Sequence, residues 1–145
     1  MKKIVLTFIV CLLLFSIGFN LQADTDSSYL KNVLGLIADK TLDAYNRQDY
    51  IAFFKYYSNT LSQFKNKKYF DNLFVAAYKD KFGEIVSKEL IEEKSSLDSD
   101  YPRLVYKASC TKCNDVLITI NFQNEFGTYR IKRVVFDRIP KFVNH

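Results

Sequence analysis

At 145 residues, with 48% hydrophobic and 26% charged side chains, the chain holds one domain and one core. A formal net charge of +5 does not by itself imply a nucleic-acid or anionic-membrane partner. A zinc site needs four ligands, and once the leader described next has gone the cysteines offer two, with the single histidine remote from them at position 145.

Residues 1–23 carry the three parts of a secretory signal: Lys2-Lys3, an apolar run from Ile4 to Phe19, and a cleavage point after Leu21-Gln22-Ala23. A membrane anchor needs roughly 20 apolar residues and a stop-transfer flank, whereas Asn20 and Gln22 end this run early. The expectation is therefore export, to the periplasm or outside the cell, with no stable membrane span after cleavage. Cys11 leaves with the leader. Losing Lys2 and Lys3 lowers the basic residues from 21 to 19 against 16 acidic ones, a net +3.

After the polar lead-in from Asp24 to Ser28, Leu30, Val33, Leu34, Ile37, Thr41, Ala44 and Tyr45 recur at helical spacing and predict a helix from Ser28 to Arg47. Ser27 or Ser28 is its expected cap. Asn46-Arg47-Gln48-Asp49 breaks the pattern, and Asp49 caps a second, short helix through Tyr57 with Phe53, Phe54 and Tyr57 on its buried side. Ser58-Asn59-Thr60 is another break. A third helix is expected from Asn66 to Phe82, with Phe70, Leu73, Phe74, Ala77, Tyr78 and Phe82 on one face and Gly83 at its end.

From Glu84 the period shortens to strand alternation through Glu92, and Ser95 to Asp100 reads as a polar loop. Pro102 precedes a strand over Arg103 to Ser109. Val116, Ile118, Ile120 and Phe122 then alternate with Leu117, Thr119 and Asn121. A last strand spans Tyr129 to Ile139, where Ile131 and Val134-Val135-Phe136 break strict alternation and suggest a β-bulge near Arg133. The fold class expected is α+β: three N-terminal helices packed on one face of a curved, mainly antiparallel sheet of about four strands, in one domain over 24–145.

This order of elements resembles the nuclear transport factor two-like superfamily, the cone fold shared with ketosteroid isomerase and the SnoaL-like cyclases. The resemblance rests on an opening helix ending in Tyr45-Asn46-Arg47-Gln48-Asp49-Tyr50, an aromatic second helix with Phe53-Phe54, then Phe82-Gly83-Glu84. It closes with strands Val116 to Phe122 and Tyr129-Arg130-Ile131. It implies either a binding domain or an isomerase, cyclase or hydrolase with an acid in the cone. Enzymatic members set an acid or histidine opposite hydrogen-bond donors, and no residue here matches that arrangement, so the catalytic set stays empty. His145 is terminal and reads as solvated.

Cys110 and Cys113 are the sharpest local signal. A redox C-x-x-C sits at a helix N-terminus, whereas strands flank this one. The reading is a structural disulfide across the turn, with free thiols and redox or metal chemistry as alternatives. Two basic groups, Phe64-Lys65-Asn66-Lys67-Lys68-Tyr69-Phe70 and Arg130, Lys132, Arg133 and Arg138, read as a solvated helix end and as solvent-face strand charges. Glu89, Glu92, Glu93, Asp98 and Asp100 read as solvated acids.

The expected function is that of a non-enzymatic exported domain without cofactor or metal, taking a small apolar ligand or a protein partner. The ligand pocket expected between sheet and helices is lined by Tyr45, Phe53, Tyr57, Phe74, Tyr78, Tyr106, Ile118, Ile120 and Phe122. A cone-fold enzyme is the alternative, and a homodimer through the open sheet face is a third reading. Nucleic acid is not an expected partner.

Overall fold

The structure, a computed structural model, describes residues 26–140. The expected leader and His145 lie outside them. The chain falls into two units, Met1–Val33 and Leu34–His145. In the first, residues 26–33 are helical, so Ser27 and Ser28 lie inside helix α1 (residues 26–47) instead of capping it. The second unit carries the remaining elements.

There α1 buries Leu34, Ala38, Thr41, Leu42 and Tyr45, a repeat of three and four residues that keeps one side of a 3.6-residue helix inward. Gln48 leaves the helix with a positive φ of 56°. Asp49 then caps α2 (Tyr50–Phe54), its carboxylate accepting from the Ala52 amide at 3.0 Å. Ser58 caps a 3-10 helix over Asn59–Phe64, an element where the sequence shows only a break.

The third helix, α3, runs over residues 67–82 as Lys67–Phe70, a π-helical stretch Asp71–Lys79, and Asp80–Phe82. Asn66 caps it by accepting from the Tyr69 amide at 2.9 Å. Phe70, Phe74, Tyr78 and Phe82 recur at every fourth residue, a repeat that drifts about 40° per step around an α-helix. The wider π turns take that drift back and keep the four rings together, with successive centroids 5.7, 5.7 and 6.4 Å apart. Gly83 ends the helix at φ 82°.

The sheet is an antiparallel meander in the order β1 (Ile85–Leu90), β2 (Arg103–Cys110), β3 (Cys113–Glu125) and β4 (Thr128–Arg138). A short 3-10 turn, Glu92–Lys94, follows β1. Asn121 pairs with Arg133 and Phe122 with Ile131, so Lys132 is the extra residue of a bulge on β4, next to the expected position. A second register shift, between Ile85 and Ser87, turns Lys88 and Leu90 to the face they share with Ala108 and Tyr106.

The inner face carries Leu104, Tyr106 and Ala108 from β2, Val116, Ile118, Ile120 and Phe122 from β3, and Ile131, Val134 and Phe136 from β4, all buried. The helices pack on this face of the curved sheet: the Phe136 ring lies 4.8 Å from Tyr45, 5.0 Å from Tyr78 and 6.3 Å from Phe82. The α+β arrangement, helices before sheet, follows from this packing.

Candidate functional site

Of the nine residues expected to line a pocket, eight are buried in the layer between helices and sheet and Tyr78 is half-buried, and the rings of Phe53, Tyr57, Phe74 and Tyr78 form one chain of contacts. Phe53 centres a ring cluster, 4.4 Å from Phe74, 5.1 Å from Phe70 and 5.4 Å from Tyr57. Ile118, Ile120 and Phe122 form the β3 floor. Tyr106 stands at the β1 side under the Lys88 ammonium, 5.4 Å from the ring, and Lys88 reaches Asp39 at 2.6 Å. Burial, and then the Asp39 charge, push the Tyr106 hydroxyl up to about 12.

The tyrosine hydroxyls in this layer have different fates. Tyr45 Oη donates to Gly83 O at 2.9 Å, and burial raises its pKa. Tyr57 Oη and Thr41 Oγ1 are buried and have no hydrogen-bond partner among the described residues. Burial first, then the neighbouring Tyr69 and Tyr78 hydroxyls, raise Tyr57 well above its ordinary value. Among the described residues the buried polar side chains are Thr41 and Ser58. Tyr57 therefore has hydroxyls, not a buried carboxyl group, for polar neighbours. Asp98 lies in the exposed loop, where the Tyr101 and Asp100 amides hold its carboxyl below the ordinary value, the reverse of a general acid.

The expected disulfide is corrected: Cys110 and Cys113 are free thiols. They pair across the two-residue turn Thr111-Lys112, which other bonds already hold. The Thr111 amide donates to Glu84 O at 2.8 Å, the Lys112 amide to Phe82 O at 2.9 Å, and Lys112 Nζ to Asp80 O at 2.9 Å. A bridge closing so short a loop removes little chain entropy. Cys110 is buried, and burial followed by the neighbouring Cys113 pushes its thiol up to about 11, the direction opposite to that of an activated nucleophile. The turn docks the end of α3 to the sheet.

The other face of the sheet is the second candidate. Strand register lays Glu89, Lys107, Leu117 and Asp137 in one cross-strand row, Val105, Thr119 and Val135 in the next, and Arg103, Asn121 and Arg133 in a third. Leu117, Thr119, Asn121 and Val135 are half-buried, and the flanking Glu89, Lys107, Arg133 and Asp137 are exposed. Lys107 and Asp115 form an ion pair at 4.0 Å. The Val105 amide donates to Ser95 Oγ at 3.0 Å and the Ile91 amide to Val105 O at 2.8 Å; Val105 is buried, whereas Thr119 and Val135 beside it are half-buried. Alternation in the sequence marks these residues as outward, but their assembly into rows depends on register between strands.

No protein-family model matches the chain, and comparison with curated proteins finds no match.

Proposed function

We propose that this chain is an exported, non-enzymatic binding domain of the nuclear transport factor two-like type, which pairs through its open sheet face with a second copy of itself. The carrying observation is the outer face of β3 and β4. A short apolar strip, Leu117 and Val135 with Thr119, is flanked by both signs: Lys107 and Asp137 stand on either side of Leu117, with Glu89 beyond Lys107, and Arg133 lies two residues from Val135 along β4. A two-fold pairing sets the same patch against itself, and a patch holding both signs beside an apolar strip is self-complementary under such an operation. The leader supports export. Light scattering at rising concentration should give the mass of two chains, falling to one for Leu117→Glu with an unchanged circular dichroism spectrum. A single-chain mass at the highest soluble concentration would sink the pairing.

A second reading, a small apolar ligand in the helix–sheet layer, is favoured by one atom, the unpartnered Tyr57 Oη. A ligand bearing one acceptor would satisfy it. In the free protein an unpaired buried hydroxyl costs about 1–3 kcal/mol, so Tyr57→Phe should raise the urea midpoint and abolish stabilisation by added long-chain alcohols. A lowered midpoint would show that the hydroxyl is already bonded and remove this reading.

A further inference from the structure

Two basic groups far apart in the sequence meet at one end of the sheet. The Ile131 amide of β4 donates to Tyr56 O at 2.8 Å, and the Ser58 amide donates to Ile131 O at 2.9 Å, which brings residues 56–65 against Arg130 and Lys132. Lys132 Nζ donates to Thr60 Oγ1 at 3.2 Å, and Lys65 Nζ donates to Tyr57 O at 2.9 Å and Asn59 Oδ1 at 3.3 Å. Burial and then the Arg130 guanidinium hold the Lys65 ammonium below its ordinary pKa, while Glu125 acts the other way. Three cations thus share a patch with one carboxylate, and Ser58 Oγ donates to that carboxylate.

Beside this patch the β3–β4 hairpin turns through Phe126 and Gly127, with φ of 53° and 84°. Positive φ at both central residues is the type I′ geometry, which favours Asn-Gly. Phe126 is therefore disfavoured twice, by its backbone angle and by an entirely exposed ring. Among the described residues the Phe126 ring meets no neighbour that would offset its exposure. The Gly127 amide donates to Asn124 Oδ1 at 2.7 Å, so a donor at the tip is already satisfied when water is removed. Tyr101, 68% exposed, stands in the adjoining loop, which the Asn124 amide grips through Asp100 O at 2.8 Å. That loop also carries Asp98, whose carboxylate accepts from the Asp100 and Tyr101 amides.

We propose that this end of the sheet docks on an anionic phospholipid surface, with Phe126 entering the interface and Lys65, Arg130 and Lys132 meeting the headgroup phosphates. A protein partner fits less well, since a stable interface covers about 800 Å² on each side and a two-residue tip offers one ring. A lipid interface accepts single aromatic side chains, and each nearby base adds about 1 kcal/mol of attraction to an acidic surface. The small net charge does not carry this reading; the local arrangement does.

The chain contains no tryptophan, so Phe126→Trp in the full chain places one reporter at the tip. This readout reports the surroundings of residue 126. With vesicles of phosphatidylglycerol and phosphatidylcholine, the emission should move to shorter wavelength and be quenched by brominated acyl chains. With pure phosphatidylcholine it should stay at its aqueous position. Raised salt, or Arg130→Glu with Lys132→Glu, should weaken the response about tenfold or more. Phe126→Asn, suited to the turn, should keep or raise thermal stability while lowering co-sedimentation with the acidic vesicles. Emission unchanged by acidic vesicles overturns the proposal and leaves the tip to a protein partner. An equal shift on neutral vesicles, or one indifferent to both salt and the charge reversal, overturns it as well.

Discussion

Gly83 and Gly127 separate two reasons for a glycine that the sequence cannot distinguish. Both hold φ above 80°, where any side chain costs roughly 1–2 kcal/mol. At Gly127 an added Cβ meets nothing within 4 Å, whereas at Gly83 it would lie 1.9 Å from Thr111 Oγ1 and 3.1 Å from the Lys112 amide nitrogen. Thr111 Oγ1 is not idle, because it accepts from the Glu84 amide at 3.0 Å. Gly127→Ala should therefore cost about 1 kcal/mol, and Gly83→Ala at least about 2 kcal/mol more, read as urea midpoints at constant slope. Equal losses at the two sites would mean that the Thr111-Lys112 turn is not seated against the end of α3. The same junction explains Tyr45-Asn46. Tyr45 Oη reaches Gly83 O, and the Asn46 amide group takes both the N–H and the C=O of Ile85, at 2.8 and 2.9 Å. Sequence reading marks this phrase as a helix connector; its partners lie 38 and 39 residues away and leave no local trace.

At the scale of elements, what was legible is what repeats locally. Alternation from Val116 to Phe122 places β3 and its inward face, and the Val134-Val135-Phe136 run betrays the bulge that the register puts at Lys132. Helix caps were read where a short polar side chain stands before an apolar run, as at Asp49; the cap expected at Ser27 or Ser28 failed because helix already covers them. The π-helical middle of α3 was not legible, because a four-residue aromatic repeat is compatible with an α-helix until the rings must share one wall. Nor was the 3-10 helix Asn59–Phe64, which has no apolar period and is held by the Ser58 cap and by Lys65 bonding back to Tyr57 O. The nine aromatic and aliphatic residues of the layer were identifiable as inward-facing. Whether they enclose space or fill it depends on ring-to-ring distances, which composition does not set. The meeting of Lys65 with Arg130 was hidden for a related reason: one lies before α3 and the other on the last strand, and only the Tyr57–Ile131 bridge brings them close.

The layer as a whole sets how stability answers to pH. Tyr45, Tyr57, Tyr78, Tyr106 and Cys110 all hold their protons above ordinary values, and burial is the largest cause at each. In the unfolded chain the thiol ionises near 9 and the phenols near 10. Between those values and the folded ones, about 11 for Cys110 and about 12 for Tyr106, the native state binds more protons than the unfolded state. Stability then falls as pH rises. The contribution is fully present below about pH 9 and begins to be lost there, first through Cys110 and then through the phenols. Lys65 works in the opposite sense, since its lowered folded pKa returns stability as pH climbs toward its unfolded value, but it is one group against five. The urea midpoint should therefore be level from pH 7 to about 8.5 and fall steadily from about pH 9 to 11. Cys110→Ser should delay the onset, because the thiol ionises first. Near-ultraviolet absorbance should show the buried tyrosines titrating only as the protein unfolds, after the exposed ones. A midpoint that stays level to pH 11, or ten tyrosines titrating together near pH 10, would mean that water reaches the layer and that its rings are not the closed packing described.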